Sequence, residues 1–79
     1  MKCVKIRLDS VDDIKSFVNI LSQFNGYFDL VSGRYVVDAK SVMGIFSMDL
    51  SRDLELNMLD TNEKDAEIME ALQPFVVTE

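Results

Sequence analysis

The first part of the chain carries two different hydrophobic patterns, one after the other. Residues 2–8 alternate basic and apolar side chains, the period of two that is typical of a strand with one buried face. Across residues 11–24 the apolar side chains instead recur three and four positions apart, as on one side of a helix. They are Ile14, Phe17, Val18 and Leu21. Ser10 with Asp13 fits a capping box at the helix start, and Gly26 follows its end.

The middle of the chain predicts a hairpin and a short helix. Residues 27–31 and 34–37 are β-prone runs that only the dipeptide Ser32-Gly33 separates, and such a link is typical of an antiparallel hairpin. Residues 41–48 then predict a short helix with Ser41 as its N-cap. Its apolar arc consists of Val42, Ile45 and Phe46.

The last third repeats the strand-then-helix order. Residues 53–59 alternate again, and residues 62–73 return to helical spacing before Pro74 ends the helix. The predicted order is βαββαβα within one domain that spans residues 1–79. Because each alternating strand has only one apolar face to bury, we expect an α+β fold in which helices cover one face of a four-stranded antiparallel sheet.

Composition and charge exclude several classes of protein. An apolar fraction of 48% and a charged fraction of 28% are typical of an ordinary globular domain. Eight basic against fourteen acidic residues give a net charge of −6, which disfavours nucleic acids and anionic membranes as partners. No apolar run approaches the roughly 20 residues that span a bilayer, and the first residues contain no signal-peptide core. We therefore expect a cytoplasmic protein.

The residues that most catalytic and metal sites require are missing. The chain has no histidine and one cysteine, so neither a zinc site of nitrogen and sulfur ligands nor a Ser-His or Cys-His couple is available. Cys3 lies in a predicted strand, which favours a packed or idle thiol. Residues 60–65 begin like a calcium loop, but Lys64 and Asp65 stand where an oxygen ligand and a glycine are needed. The sequence predicts no enzyme, no cofactor and no metal.

Residues 37–48 contain the most specific motif. Here Ala39-Lys40-Ser41 is followed by an aliphatic residue, a methionine and a glycine, which resembles the regulatory-serine motif of the HPr phosphocarrier family. With the order of the elements, the resemblance covers nearly the whole chain and implies an HPr-like open-faced β-sandwich. It also implies that the short helix and the start of the first helix form the face that partners bind.

The position of the family's carrier residue differs in this chain. In HPr proteins a histidine at the start of the first helix carries the phosphoryl group, which helix amides and an arginine hold. The resemblance places Ser10 at the histidine position, Asp12 at the arginine position and Asp13 at the position of a proline. Together with Asp9, these carboxylates oppose an anion at the helix N-terminus. We expect that histidine carrier chemistry is lost and that Ser10 is an N-cap.

Ser41 is the candidate phosphorylation site. The resemblance implies that an ATP-dependent HPr kinase modifies this serine and that the product docks on a transcriptional regulator. An ordinary N-cap is the alternative, and the two roles are compatible because a phosphate is favoured at a helix N-terminus. In lacking the histidine and keeping the serine, the chain is similar to the catabolite-repression paralogue of HPr.

The candidate docking residues lie on the short helix. They are Val42, Met43, Phe46 and Met48. By helical geometry the two methionines fall off the apolar arc, which favours exposure and adaptable contacts, whereas core packing of both is the alternative. Val42 has the same two interpretations.

Two functions of different classes follow from these observations. One is a regulatory module that binds a kinase, a transcriptional regulator or phosphotransferase-system components. The other is a small ligand-binding or assembly domain that shares only the fold. A carrier that uses another residue is the least favoured. The oligomeric state stays open, because exposed strand edges or the methionines could support a dimer.

Overall fold

Strands and helices follow one another in the predicted order. The computed structural model describes residues 2–77, with only the backbone described for Lys2. The strands are β1 (Lys2–Ile6), β2 (Tyr27–Ser32), β3 (Tyr35–Asp38) and β4 (Leu54–Leu59). The helices are α1 (Val11–Leu21), α2 (Val42–Phe46) and α3 (Asp65–Ala71), and a 3-10 helix follows at Gln73–Phe75. The predicted order βαββαβα is confirmed.

The four strands form one antiparallel sheet in the order β1-β4-β2-β3. Leu56 of β4 lies opposite Val4 on one side and Leu30 on the other, and Leu30 lies opposite Val37 of β3. Because paired residues share a face, this row of aliphatic side chains runs across the whole sheet. The predicted α+β architecture, with helices on one face, is confirmed.

The core lies between that face and the helices. Phe17 of α1 meets Phe75 of the 3-10 helix edge to face, with ring centroids 5.9 Å apart. Ile45 of α2 and Ile68 of α3 are fully buried beside them. Each such side chain contributes about 1.5–3 kcal/mol on burial, so the sequence periodicity fixes which face of every element turns inward.

The side chain of Cys3 is exposed. Of the two interpretations of this thiol, packing in the core is therefore excluded, and an unreactive surface thiol stays a prediction.

The hairpin turn lies one residue later than predicted. Ser32 stays in β2 opposite Tyr35, and the turn consists of Gly33 and Arg34. Gly33 has a φ of +59°, a left-handed value that the first central residue of a type II′ turn requires. The glycine therefore takes the first turn position, not the second.

Helix α3 begins three residues later than predicted, at Asp65. Three residues before it have positive φ values of 52°, 55° and 64°, at Asp60, Asn62 and Glu63. This left-handed backbone cannot continue into a right-handed helix, so the start is delayed. The helix ends at Ala71, and Pro74 lies inside the 3-10 helix that follows.

Strand β1 ends at Ile6, two residues earlier than predicted, because its partner strand β4 begins opposite it at Leu54. The C-terminal segment pairs with the outer edge of β1 at this end. The backbone amide of Arg7 donates to the carbonyl of Phe75 at 2.8 Å, and that of Val77 donates to the carbonyl of Lys5 at 3.0 Å. The chain beyond Ile6 can therefore turn towards α1 with its backbone groups satisfied.

Helix α1 ends at Leu21, three residues earlier than predicted. The amides of Gln23 and Phe24 donate to carbonyls three residues back, at Ile20 and Leu21, so the last turn tightens into 3-10 geometry. Gly26 then takes a φ of +124°. The apolar pattern continued through this turn because Phe24 still packs against the core.

Candidate partner-binding face

Ser10 is the N-cap of α1, as predicted. Its backbone is extended, and its Oγ accepts a hydrogen bond from the amide of Asp13 at 3.1 Å. The carboxylate of Asp13 reaches back to the amide of Asp9 at 3.0 Å, not to that of Ser10. In an ordinary capping box the third helical residue would bond back to the amide of the N-cap, whereas here Asp13 bonds to the residue before it. Two amides at the helix start therefore already have a carboxylate or hydroxyl acceptor.

Arg7 links the start of α1 to the loop between α2 and β4. Its guanidinium donates to Asp9 Oδ1 at 3.1 Å, to Asp53 Oδ1 at 3.2 Å and to the carbonyl of Ser51 at 3.3 Å. The hydrogen bonds to Asp9 and then to Asp53 raise the pKa of Arg7. This cation is therefore engaged by carboxylates of the chain itself.

The α2–β4 loop adds a further carboxylate to this end of the molecule. Asp49 Oδ1 accepts hydrogen bonds from the hydroxyl of Ser51 at 2.6 Å and from its amide at 3.0 Å, and these bonds hold the pKa of Asp49 below its usual value. Arg52 lies 3.9 Å away on the exposed surface. This loop was not predicted from the sequence, although an aspartate two residues before a serine is a local signal for such a turn.

Ser41 is the N-cap of α2, also as predicted. Its Oγ accepts from the amide of Gly44 at 3.1 Å, and its side chain is half-buried. A Cβ on Gly44 would lie 3.2 Å from that Oγ and 3.3 Å from Val37 Cβ, so the glycine keeps the cap uncrowded. The first turn of α2 contains no acidic residue, unlike that of α1.

Lys40 is anchored to the end of α1. Its Nζ donates to the carbonyl of Phe24 at 2.9 Å and lies 5.2 Å from the centroid of the Phe28 ring. Its backbone amide donates to Asp38 Oδ1 at 2.9 Å. The lysine of the motif thus serves the packing between α1 and the sheet.

The two methionines of the predicted docking set lie in different environments. Met43 is 80% exposed, whereas Met48 is 7% exposed and part of the core. The expected exposure of Met48 is wrong, because α2 ends at Phe46 and the amide of Met48 bonds to Ile45 in a tighter turn. Helical geometry does not apply at position 48.

The remaining docking candidates are split between surface and core. Phe46 is 45% exposed although it was placed on the apolar arc, and Val42 packs half-buried against the core. Val11 in the first turn of α1, which the sequence analysis did not single out, is 49% exposed. Helices α1 and α2 pack against each other. We define the α1–α2 surface as the exposed apolar side chains of this helix pair, Val11, Met43 and Phe46.

Within residues 2–77 no group of three acidic or cysteine side chains converges as a metal site would require. None of the described helices has the length and apolar character needed to cross a membrane. An open polar cavity of about 240 Å³ lies between the end of α1 and the start of α3. It is lined by Gln23, Phe24, Asn25, Thr61, Asn62, Lys64 and Glu67.

Comparison with solved structures identifies the architecture. Seven solved chains match, and one of them is the crystal structure of HPr-C-His from Thermoanaerobacter tengcongensis. That chain is 26% identical, the match covers 94% of this chain and 89% of that one, and the TM-score is 0.77. The chain has an HPr-like fold. No protein-family model and no curated protein matches it.

The HPr-like fold confirms the open-faced architecture that the resemblance implied. HPr-like proteins are non-enzymatic phosphocarriers, which agrees with the prediction that the chain is not an enzyme. Against that background, the HPr-like chain contains no histidine. The start of its first helix holds a capped serine among carboxylates.

Proposed function

We propose that this HPr-like chain is a regulatory module that binds a protein partner and no longer carries a phosphoryl group on histidine. The composition of the α1 start carries the proposal. Ser10 stands at the position that the resemblance assigns to the carrier, and it works there as an N-cap. Three aspartates surround it at positions 9, 12 and 13.

The contacts at this helix start disfavour a phosphoryl group. A phosphate is held at a helix N-terminus by free amides and by cations. Here the amide of Asp13 is used by Ser10, the amide of Asp9 by Asp13, and the guanidinium of Arg7 by Asp9 and Asp53. A phosphoserine at this place would also be a stable ester, unsuited to rapid transfer.

The α1–α2 surface is the proposed docking site for the partner. Met43 offers a flexible thioether that is almost entirely solvent-exposed, and Phe46 and Val11 add apolar area. Such side chains suit adaptable contacts with another protein. The resemblance indicates a transcriptional regulator or phosphotransferase-system components as partners. Val42 supports this surface from its half-buried position, and Met48 supports it from the core.

Ser41 is the proposed switch of this docking site. As N-cap of α2 it directs its oxygen at the amide of Gly44, and no carboxylate lies in the first helical turn. A phosphate there keeps a favourable interaction with the helix N-terminus, so modification changes the charge beside Met43 without unfolding α2. The Nζ of Lys40, the residue that precedes Ser41, already donates a hydrogen bond to the carbonyl of Phe24.

Intact mass spectrometry after incubation with an HPr kinase and ATP tests the switch. We expect the wild-type chain to gain one phosphoryl group, and the variant Ser41→Ala to gain none. Ser10→Ala is the matched control, because it removes the other serine N-cap and leaves Ser41 in place. Phosphorylation that persists in Ser41→Ala, or its absence from the wild type, would contradict this role of Ser41.

The polar cavity favours the second candidate function, a ligand-binding domain that shares only the fold. Its amide side chains, from Gln23, Asn25 and Asn62, are hydrogen-bonding groups suited to a small uncharged polar ligand. A panel of sugars and amides titrated against the side-chain amide signals of these residues distinguishes the candidates. Saturable shifts at millimolar or lower concentration would favour ligand binding.

A further inference from the structure

The two outer edges of the sheet differ in their protection. The C-terminal segment covers the edge of β1 through an antiparallel bridge between Ile6 and Val76 and two backbone hydrogen bonds that flank it. At the other edge, no segment among the described residues pairs with the outer side of β3. A strand edge left in this state presents unpaired amides and carbonyls to solvent.

The exposed edge also carries few features that prevent pairing. Strand β3 has the sequence Tyr-Val-Val-Asp, with no lysine, no proline and no bulge. Tyr35 is 70% exposed and Val36 is 61% exposed. Both residue types favour strands, so the edge can accept another strand. Its shortness limits the contact, as does the amide of Ser41, which already donates to the carbonyl of Asp38 at 2.9 Å.

The hairpin turn fixes which backbone groups face outwards. In a two-residue hairpin, the residues that flank the turn, here Ser32 and Tyr35, exchange hydrogen bonds with each other. Antiparallel partners alternate between hydrogen-bonded and non-hydrogen-bonded pairs, so the next residue, Val36, turns its N–H and C=O away from β2. The outward hydrogen-bonding groups of the edge are therefore centred on Val36.

We propose that β3 pairs antiparallel with β3 of a second copy of this chain, with Val36 opposite Val36. This register places Arg34 of each copy opposite Asp38 of the other, and Tyr35 opposite Val37. The edge is thus self-complementary about a two-fold axis, as a symmetric dimer requires. A register shifted by one residue would bring outward groups against inward ones and cannot form.

The charges on the face of the sheet that carries Asp29 and Asp38 favour a second copy of the chain as the partner of β3. Asp38 lies directly opposite Asp29 of β2, and like charges in such a pair are destabilising. In the proposed register, an arginine from the second copy lies next to this pair of carboxylates and relieves the repulsion. An arbitrary extended peptide does not supply a cation at that position, whereas a second copy supplies one at both ends of the contact.

The expected dimer is weak. One strand pair of about five residues buries less than the roughly 1,200 Å² of a stable interface, and each copy carries a net charge of −6. We therefore expect reversible association near millimolar concentration. The pairing uses the sheet edge and does not require the α1–α2 surface or modification of Ser41.

Charge exchange at the two ends of the contact tests the register. In Arg34→Asp, both end pairs of the homodimer become Asp with Asp, and in Asp38→Arg both become Arg with Arg. An equimolar mixture of the two variants restores opposite charges at both ends, and the mixed pair has the same total charge as two wild-type copies. Sedimentation equilibrium should show association roughly tenfold weaker for each variant alone. In the mixture the amount of dimer should recover to about half that of the wild type at the same total concentration, because only half of the encounters are mixed.

Amide NMR locates the contact and controls for misfolding. Raising the wild-type concentration should shift signals of residues 34–38, and Val36→Lys should abolish the shifts while Val11→Lys, the same substitution at another exposed valine, preserves them. Asp38→Arg removes the hydrogen bond between the Lys40 amide and the Asp38 carboxylate. If that loss impairs folding, Val36→Lys serves in its place as the variant that should not dimerise. Absence of association at millimolar concentration, shifts confined to another surface, or no recovery in the mixture would overturn the proposal.

Discussion

Single residues hold the turns of this molecule in backbone conformations that other residues resist. Gly26 has a φ of +124°, and a Cβ there would lie 2.7 Å from the carbonyl oxygen of Leu59 and 2.9 Å from that of Asp60. Gly33 also has a positive φ, but a Cβ there would meet nothing within 4 Å. We predict that Gly26→Ala lowers the free energy of unfolding by about 3 kcal/mol and Gly33→Ala by about 1 kcal/mol, as urea denaturation would measure. Equal effects would contradict the close approach at Gly26.

Local sequence predicted some contacts at this scale and not others. Both serine N-caps were predictable, because a cap depends on the residue and on the three that follow it. The bond between Arg7 and Asp53 joins residues 46 positions apart, and no local pattern indicates it. That contact makes the start of α1 more than an acidic helix end, because it ties the α2–β4 loop to the residues that precede α1.

At the scale of elements, one methionine lies on the surface of α2 and another lies in the core just after the helix ends. Met48 is 7% exposed and Met43 is 80% exposed. Deleting a buried thioether leaves a cavity, so we predict that Met48→Ala lowers the free energy of unfolding by about 2–3 kcal/mol. Met43→Ala should change it by less than about 0.5 kcal/mol. Thermal or urea denaturation of the two variants measures the difference, and a larger loss at Met43 would contradict the placement of α2.

The order of elements was predictable because the hydrophobic period is a property of each segment alone. Their ends were less predictable. Helix α3 starts late because of left-handed backbone at Asn62 and Glu63, and β1 ends early because its partner β4 begins opposite Ile6, at Leu54. The ends of these elements are thus set by turns and by pairing with distant parts of the chain. For α2, five residues are too few for a helical pattern to predict exposure beyond Phe46.

At the scale of the whole molecule, one HPr-like fold presents three separate surfaces. The start of α1 is acidic and Ser10 caps the amide of Asp13, the α1–α2 surface offers apolar side chains, and the outer edge of β3 is unpaired among the described residues. The fold was predictable from element order and one motif, whereas the state of the sheet edges required the structure. Because the fold alone does not determine activity, the function of this chain depends on what the α1 start can do chemically.

The most direct test of the central claim is incubation with Enzyme I and phosphoenolpyruvate, followed by intact mass measurement at neutral pH. An ordinary histidine-containing HPr in the same reaction is the positive control. We predict that the control gains one phosphoryl group while the mass of this chain stays unchanged. A phosphoryl group on this chain, transferred from Enzyme I, would contradict the loss of carrier chemistry, and its position would identify the residue that replaces the histidine.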